Sequence, residues 1–320
     1  MSESLPLQPG SPVAVTVDEL LALRRLAQSL RRRQKIRSAA PQSGALHSRA
    51  LGRGLDFAEL REYQPGDDIR QIDWNVTARS GKPHTKLYSL EREKPCFFVL
   101  DLRASMAFGT RGVFKSVQAA RILAVLAWSA CLANDRVGGL VFSDRGHTEI
   151  RPQSGRRGLM QLFSAVLSHW PEAGAPGEVG PVQAPRLADA AKRLGRLAHT
   201  GSTLWFISDF AGFDESAKPA FAGLMPHNQL NTVIVADPLE QTLPPPGQYR
   251  LTAGEMELTI DTHAGERRHA YRQQFIARRE RLSGFFLRGR HHADTVWTDL
   301  DLATQAQGLL SGRLLTERDT

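Results

Sequence analysis

The sequence predicts an α/β fold with a mainly parallel sheet, helices on both faces of the sheet and one antiparallel edge strand. Short apolar runs alternate with helical patterns from residue 95 onward. The runs are continuous rather than alternating in polarity, which is typical of strands buried on both faces. Several of them end at an aspartate. Together these observations indicate a domain over residues 95–315 with its polar groups at one edge of the sheet.

Each predicted element follows from its own pattern. The predicted strands are FFVL (97–100), VGGLVF (137–142), HTEIRP (147–152), TLWFI (203–207), TVIVA (232–236) and TVW (295–297). The strand at 147–152 follows its predecessor after a short turn, so it is expected to be the antiparallel edge strand. Helical patterns cover 113–133, 156–169, 186–199 and 266–285. The stretch YRLTAGEMELTI predicts a hairpin inserted at 245–262, before the last long helix.

The N-terminal part predicts a disordered stretch and then a helix. Residues 1–15 lack any periodic pattern, and Thr16 with Glu19 forms a capping-box sequence at a helix start. Apolar side chains then recur at helical spacing, so one face is expected to dock: Leu20, Leu23, Ala27 and Leu30. The basic residues between 24 and 37 occupy the other face, which either is solvated or contacts an acidic partner or anionic lipid.

We predict that residues 16–94 form one N-terminal unit, which consists of this helix and a polar segment. The core of the polar segment is GRGLDFAELREYQPGDDIRQIDWNVTAR at 52–79. Its mixed charges predict interlocking pairs between arginines and carboxylates, with Tyr63 and Trp74 as apolar anchors. LDFAELREY is compatible with a short helix or an edge strand, and PGDD predicts a turn. The residues that define this segment are Arg53, Glu59, Arg61, Tyr63, Asp67, Asp68, Arg70, Asp73, Trp74 and Arg79.

Composition limits the classes of function. With 41 Lys and Arg against 33 Asp and Glu, the net charge is +8, which raises the question of nucleic-acid or membrane-surface binding. Zinc-ligand spacing, an aromatic RNA-binding signature and a basic leucine zipper are all missing from the sequence. The longest apolar segment (117–133) contains Arg121 and is shorter than the roughly 20 residues of a membrane span. Two cysteines, Cys96 and Cys131, and no signal-peptide pattern favour a reduced, cytoplasmic protein.

Aspartates follow five of the predicted strands: Asp101, Asp144, Asp209, Asp237 and Asp299. The carboxyl ends of parallel strands meet at one edge, where open α/β sheets bind ligands at a topological switch point. Some of these aspartates are expected to be helix N-caps instead. If the strands are numbered along the chain and ordered 3-2-1-4-5-6, Asp101 and Asp209 lie on adjacent strands. There they could hold a hard divalent cation.

Two groups of motifs carry a resemblance to known families. DLRAS at 101–105, DRVGGLVFSD at 135–144 and ISDF at 207–210 resemble a von Willebrand factor A domain. The polar segment followed by KPHTKLYSLEREKPCFFVLD resembles the bacterial and archaeal family called domain of unknown function 58, over residues 17–315. The resemblance implies a Rossmann-like A-type fold and an association with MoxR-type AAA+ ATPases. In that association the protein would be an adaptor in the remodelling or maturation of a client protein.

The resemblance also implies a metal-ion-dependent adhesion site, in which Asp101, Ser105 and Asp209 match ligand positions. Arg103 stands in place of the middle serine, and the loop after the edge strand offers Ser154 but no threonine. A guanidinium has a fixed charge and five donors, so Arg103 is expected to neutralise the carboxylates and fill the cation position. We therefore predict a degenerate site and no resident cofactor. A weak Mg²⁺ or Mn²⁺ site would survive only if Arg103 points to solvent.

The function predicted from the sequence is a non-enzymatic adaptor that presents the loops at 101–109 and 209–214 to protein partners. The expected contact residues are Arg103, Met106, Phe108 and Phe210. One alternative is cation-dependent protein binding at the degenerate site, and a second is nucleic-acid binding through basic helices, including residues 267–282. A third is a metal-assisted hydrolase using the aspartates at 67, 68 and 73 with His84 nearby. The sequence contains no nucleophile elbow, phosphate-binding loop or HExxH helix that would support this third class.

Overall fold

The computed structural model describes residues 10–38, 55–64, 67–90, 93–170, 186–253, 256–287 and 291–312. The chain forms two compact units, one comprising Met1–Ala39 and Lys94–Thr320 and the other Ala40–Glu93. The sequence predicts that the N-terminal helix and the polar segment form one unit, residues 16–94. The structure instead assigns that helix to the α/β unit, because its apolar face packs into the core of that unit.

The α/β unit contains six strands in one sheet, with helices between them and a separate hairpin. The sheet strands are β3 (Pro95–Asp101), β4 (Arg136–Ser143), β5 (Gly146–Gln153), β6 (Thr203–Ser208), β7 (Gln229–Ala236) and β10 (His292–Trp297). The hairpin strands are β8 (Gln248–Ala253) and β9 (Met256–Asp261). The helices are α1 (Val17–Ala22), α2 (Arg24–Ser38), α4 (Lys115–Leu132), α5 (Arg156–Ser168), α6 (Leu187–Leu197), α7 (Lys218–Leu224), α8 (Pro238–Gln241), α9 (Gly265–Phe286) and α10 (Leu302–Ser311).

The strand order is β10-β7-β6-β3-β4-β5, with every pair parallel except β4 with β5. This confirms the order predicted from the sequence, including the antiparallel edge strand. β3 lies between β4 and β6, and Leu100 of β3 pairs with Ile207 of β6. The loops after β3 and β6 therefore start side by side at the switch point of the sheet.

Alternate residues of β3 enter two separate cores, one on each face of the sheet. Phe98 and Leu100 belong to the core that α1, α2, α4, α5 and α10 cover. Phe97 and Val99 belong to the core that α6, α7 and α9 cover. This alternation follows from the two-residue period of side chains along a strand, and it explains why residues 96–100 of β3 are all apolar.

The N-terminal region is held against α4. The Thr16 hydroxyl accepts a hydrogen bond from Glu19 N (3.2 Å), which confirms the predicted N-cap. The Glu19 carboxylate is paired with Arg121 (2.6 Å), and Trp128 Nε1 donates to Leu20 O (2.9 Å). The predicted docking face is confirmed, because the four apolar residues of that face are all buried.

Part of the stretch expected to be disordered is ordered. Val15 is buried, and Phe114 N donates a hydrogen bond to Pro12 O (2.8 Å). These contacts tie residues 10–15 to the start of α4, so the prediction of disorder was wrong for them. Residues 1–9 lie outside the described part of the chain.

The second unit contains β1 (Leu55–Glu62) paired antiparallel with β2 (His84–Leu90), and α3 (Trp74–Ser80). Of the two readings of LDFAELREY, the strand is correct. Arg61 Nη2 pairs with Asp67 Oδ1 (2.7 Å), and Asp67 Oδ2 accepts from Gln64 N. Asp68 caps a short 3₁₀ turn at Ile69–Gln71, and Asp73 caps α3. These aspartates thus act mainly on the local backbone.

The position of Trp74 contradicts one prediction for this unit. Its side chain was expected to anchor the polar network, but the residue is 66% exposed. It is the first residue of α3, where Asp73 binds the free N–H groups, and the ring lies on the solvent side of that turn. Tyr63 is half-buried, while Arg70 and Arg79 are exposed. The PG of the predicted turn, Arg53 and the side chain of Glu59 fall outside what the structure describes.

Among the described residues, no helix combines the length and the apolar character that crossing a membrane requires. The hairpin β8–β9 lies where the sequence predicted it, with Leu251 opposite Leu258. Helices α7, α8 and α10 were not predicted. They are short, and α7 and α8 carry a proline in the first turn, so their sequences resemble loops.

Candidate functional site

The loops that follow β3, β4, β6 and β7 meet at the carboxyl edge of the sheet, and we call this surface the rim (residues 101–113, 144–145, 209–216 and 237). Asp144 Oδ2 accepts a hydrogen bond from Ala104 N (2.6 Å), and Asp237 accepts from Thr110 N (2.9 Å). The aspartates after β4 and β7 thus hold the two ends of the loop that follows β3. The predicted gathering of these carboxylates at one edge is confirmed.

The carboxylate of Asp101 is completely buried and is bound by Arg103. Arg103 Nε lies 3.0 Å from Oδ1, and Nη2 lies 2.6 Å from Oδ2. Arg103 N and Ser208 Oγ donate two further hydrogen bonds to the same carboxylate (3.0 and 2.7 Å). Burial raises the pKa of Asp101 more than Arg103 lowers it, because the carboxylate is enclosed whereas the guanidinium side chain is 15% exposed.

Arg103 also joins the two loops at the switch point. Its Nη2 donates to Ala211 O (3.0 Å), in the loop after β6. Its guanidinium carbon lies 5.6 Å from the centroid of the Phe142 ring, which is within cation–π distance. The side chain therefore points into the rim rather than to solvent.

Asp209 has a different cation, Lys115, which the sequence analysis did not identify. Lys115 Nζ lies 2.8 Å from Asp209 Oδ2 and 2.7 Å from Glu240 Oε1. Burial lowers the pKa of Lys115, but the two carboxylates outweigh burial, so the pKa lies above its ordinary value. For Asp209, burial raises the pKa, but the Lys115 charge and the N–H of Ala211 outweigh burial and lower it. Both groups are therefore ionised at neutral pH.

A signal for Lys115 was present in the sequence. Lys115 is the first residue of a mostly apolar helix, and a cation at a helix N-terminus is unfavourable with the helix dipole. Such a placement requires compensating anions. Asp209 and Glu240 supply them, and they belong to elements 94 and 125 residues further along the chain.

Ser105 and two predicted contact residues of this loop, Met106 and Phe108, differ in how deeply their side chains are buried. The Ser105 hydroxyl helps to lower the pKa of Asp209, yet its buried Oγ lacks a hydrogen bond of ordinary geometry among the described residues. Phe108 is half-buried, with Lys115 Nζ 5.8 Å from its ring centroid. Met106 is completely buried. The prediction that Met106 contacts a partner was therefore wrong, because its side chain fills the core beneath α4.

Phe210 is also a core residue, and the prediction that it contacts a partner was wrong. It adopts a positive φ of 54° and is only 1% exposed. Its ring packs against Phe206 and Phe286, with centroids 5.6 and 5.3 Å away. The left-handed backbone turns the side chain inward, and this reversal is not visible in the sequence.

Asp237 is the N-cap of α8, as expected for some of the five aspartates. It accepts hydrogen bonds from Leu239 N (2.9 Å), Thr298 Oγ1 (2.7 Å) and both polar groups of Thr110. Burial raises its pKa, but these donors outweigh burial and lower it. Asp299 is half-buried just after β10.

These residues do not fit the divalent cation that the resemblance implies. Mg²⁺ requires near-octahedral oxygen ligation, but the oxygens of Asp101 and Asp209 already accept hydrogen bonds from the two cationic side chains. Ser154 cannot contribute, because Gln153 pairs with Val137 at the amino end of β4, so Ser154 lies at the opposite edge of the sheet. Within the described ranges, no cluster of three or more His, Cys, Asp and Glu residues is arranged to hold a metal.

The contacts of the described residues do not support the hydrolase alternative. Asp67, Asp68 and Asp73 accept hydrogen bonds from backbone N–H groups of their own turns. The His84 ring contacts Ser80 Oγ and Lys82 O. We see no bond between this histidine and a carboxylate in the described part of the second unit.

The fold and the rim define a class of protein: a mixed six-stranded α/β unit whose switch point is occupied by buried ion pairs. The model of the family described as protein of unknown function DUF58 matches residues 59–281. The chain belongs to this family.

Known proteins similar to this chain include uncharacterized proteins of Mycobacterium bovis and Mycobacterium tuberculosis. Each is 32% identical over 226 residues, covering 68% of this chain and 69% of the relative. Among solved structures, the conserved hypothetical protein BatB from Bacteroides thetaiotaomicron is similar, with 16% identity and a TM-score of 0.42. The match covers 68% of this chain and 98% of BatB.

Proposed function

We propose that this protein is a cytoplasmic, non-enzymatic adaptor whose rim binds a protein partner without a bridging metal. The partner that the family resemblance suggests is a MoxR-type AAA+ ATPase, with a client protein bound elsewhere. The observation that supports the proposal is that the buried pairs Arg103–Asp101 and Lys115–Asp209 occupy the switch point, where the resemblance implies a cation.

The two buried ion pairs hold the rim loops in place, and the outer residues of those loops remain exposed. Arg103 and Lys115 tie the loops after β3 and β6 to the sheet and to α4, so the outer residues of those loops are held in place. The exposed residues of those loops include Ala104, Ala107, Arg111 and Gly212. A preorganised surface loses little conformational entropy when a partner binds.

Arg111 is the residue of this surface whose substitution is most informative. It is exposed, and it forms no hydrogen bond or ion pair with any described residue. Arg111→Glu therefore reverses a charge on the rim without disturbing the buried pairs. Arg157→Glu is a matched control, because Arg157 is equally exposed and lies on the first turn of α5, at the opposite edge of the sheet.

The test is a pull-down of the MoxR-type ATPase of the same organism by immobilised wild-type protein and by both variants, with ATP, with ADP and without nucleotide. We expect capture by the wild type and by Arg157→Glu, and a loss of at least about tenfold in affinity for Arg111→Glu. The absence of capture in every nucleotide state would refute the ATPase as partner. Equal capture by both variants would refute the rim as the contact surface.

Cation-dependent binding, the second candidate, is not favoured by any contact in the site. The same pull-down without nucleotide, repeated in EDTA, separates the two, because the proposed contact needs no metal and no Mg²⁺-bound nucleotide is then present to be lost. Loss of capture in EDTA that is restored by Mg²⁺ would favour the cation-dependent candidate.

A further inference from the structure

A groove of about 560 Å³ lies at one end of the rim, between the loop after β6 and the C-terminal half of α9. Its apolar wall consists of Phe213, Leu282 and Phe285, and the Phe213 and Phe285 rings are 5.4 Å apart. Gly284 lies on the same helix and leaves this wall open, since a Cβ at that position would meet no atom within 4 Å. The volume falls in the range of ligand-binding pockets, roughly 300–1,000 Å³.

The acidic residues of the groove, Asp214 and Glu215, both have hydrogen-bond or ion-pair partners. Asp214 accepts hydrogen bonds from Ser216 N, Ser216 Oγ and Ala217 N, and Glu215 is paired with Lys218. The acidic groups are thus satisfied within their own loop.

The two arginines of the groove have no carboxylate partner among the described residues. Arg278 Nη2 donates to Asp209 O (2.8 Å), and Arg281 Nε donates to Ala277 O of its own helix (3.2 Å). Two guanidinium groups beside an aromatic wall are complementary to a carboxylate placed next to an aromatic or large aliphatic side chain.

We propose that this groove binds a short protein segment that carries an acidic side chain next to an aromatic one. An extended segment fits better than an enclosed small molecule, because Glu215 and Arg281 are exposed and leave the groove open along its length. Single-stranded nucleic acid would also use aromatic and arginine contacts. A single carboxylate can be placed at the two arginines and away from Asp214 and Glu215, whereas a row of regularly spaced phosphates would also bring negative charge beside those two carboxylates.

The groove shares residues 210 and 212–215 with the rim, whereas Arg111 lies in the loop after β3 and does not line the groove, and peptide binding needs no ATPase. The hypothesis about the groove can therefore fail while the adaptor hypothesis stands, and the reverse is also true. Arg278 nevertheless links the two, because its acceptor is the carbonyl oxygen of the rim residue Asp209. A segment bound in the groove would lie against the loop that the Lys115 pair holds.

The test uses fluorescein-labelled peptides of about eight residues, long enough to span about 26 Å when extended. Each carries one phenylalanine and two glutamates at varied spacing, and binding to the full chain is followed by fluorescence polarisation. Control peptides replace the glutamates by glutamines or the phenylalanine by alanine. We expect both kinds of control peptide to bind at least about tenfold more weakly.

Two glycine variants separate binding from folding. Gly284→Leu projects a side chain into the groove, whereas Gly223→Leu adds the same group to α7, where a Cβ also meets no atom within 4 Å. We expect Gly284→Leu and Arg281→Glu to weaken binding at least about tenfold, and Gly223→Leu to bind as the wild type does. No saturable binding by any peptide, or unchanged binding by Gly284→Leu, would overturn the proposal. Binding of labelled oligothymidylate that Gly284→Leu abolishes would assign the groove to nucleic acid instead.

Discussion

Lys115 Nζ lies 2.8 Å from Asp209 Oδ2, and both side chains are almost completely buried. This pair joins the first residue of α4 to the loop after β6, across 94 positions of sequence. With Glu240 as a second acceptor, the ammonium is held by two carboxylates. A fixed cation therefore lies beneath the rim, at the switch point of the sheet.

Removing the ammonium should destabilise the protein strongly. Lys115→Met leaves the buried carboxylate of Asp209 without its cation, and breaking one partner of a buried pair costs about 3–5 kcal/mol. Urea unfolding at neutral pH measures the change in the free energy of unfolding. The matched control is Lys218→Met, whose partner Glu215 is 88% exposed. A surface pair contributes about 0–1 kcal/mol. A loss below about 1 kcal/mol for Lys115→Met would show that the pair is not a structural tie.

The second prediction concerns metal binding. Arg103→Ser restores a ligand type at the rim but leaves Lys115 on Asp209. We expect no measurable Mg²⁺ binding by the wild type, and binding by Arg103→Ser/Lys115→Thr at least about tenfold tighter than by Arg103→Ser alone. Isothermal titration of chelator-treated protein measures both affinities, and circular dichroism establishes that the variants are folded. Arg111→Ser is the control. Tight binding by the wild type would contradict the replacement of the cation by these side chains.

The third prediction is a pH dependence at Asp237. Its pKa in the folded protein is lowered, because hydrogen bonds from Thr110, Thr298 and Leu239 outweigh burial. A lowered pKa adds stability above the unfolded value of about 3.9 and loses it as pH falls through the folded value. Asp237→Asn should therefore cost about 1.5–3 kcal/mol at pH 7, the range for hydrogen bonds to a charged group.

The difference between wild type and Asp237→Asn should shrink as pH falls below about 3.9, where the unfolded carboxyl takes up a proton, and should be smallest below the folded pKa, where the folded carboxyl is also neutral. Urea midpoints of both proteins over a series of pH values measure this convergence. A difference that stays constant down to the lowest pH would mean that Asn at this position disturbs packing rather than charge.

The sheet could be predicted from the sequence, and the local geometry of the rim could not. Continuous apolar runs that end in aspartate indicate buried parallel strands, and the order assumed for a doubly wound sheet then matched the structure. Arg103 was recognisable because it occupies a position where the A-type motif has a serine. Phe210 was misread because its inward direction depends on one positive φ, and Lys115 was missed because its partners are distant in sequence. Residues 10–15 carry no periodic pattern, so their docking depends on contacts made only in the folded state.

The last prediction concerns the N-terminal helices. Trp128 Nε1 donates to Leu20 O, and the Leu20 side chain is completely buried in the core beneath α4. Leu20→Ala removes buried methyl groups at this junction and should cost about 2–5 kcal/mol of unfolding free energy. Leu21→Ala is the control, because Leu21 is next in the same helix but only partly buried, and its loss should be smaller. Urea unfolding followed by tryptophan fluorescence measures both. If Leu20→Ala unfolds at the wild-type midpoint, the N-terminal helices do not belong to the cooperative core of the α/β unit, and the ion pair between Glu19 and Arg121 is only a surface contact.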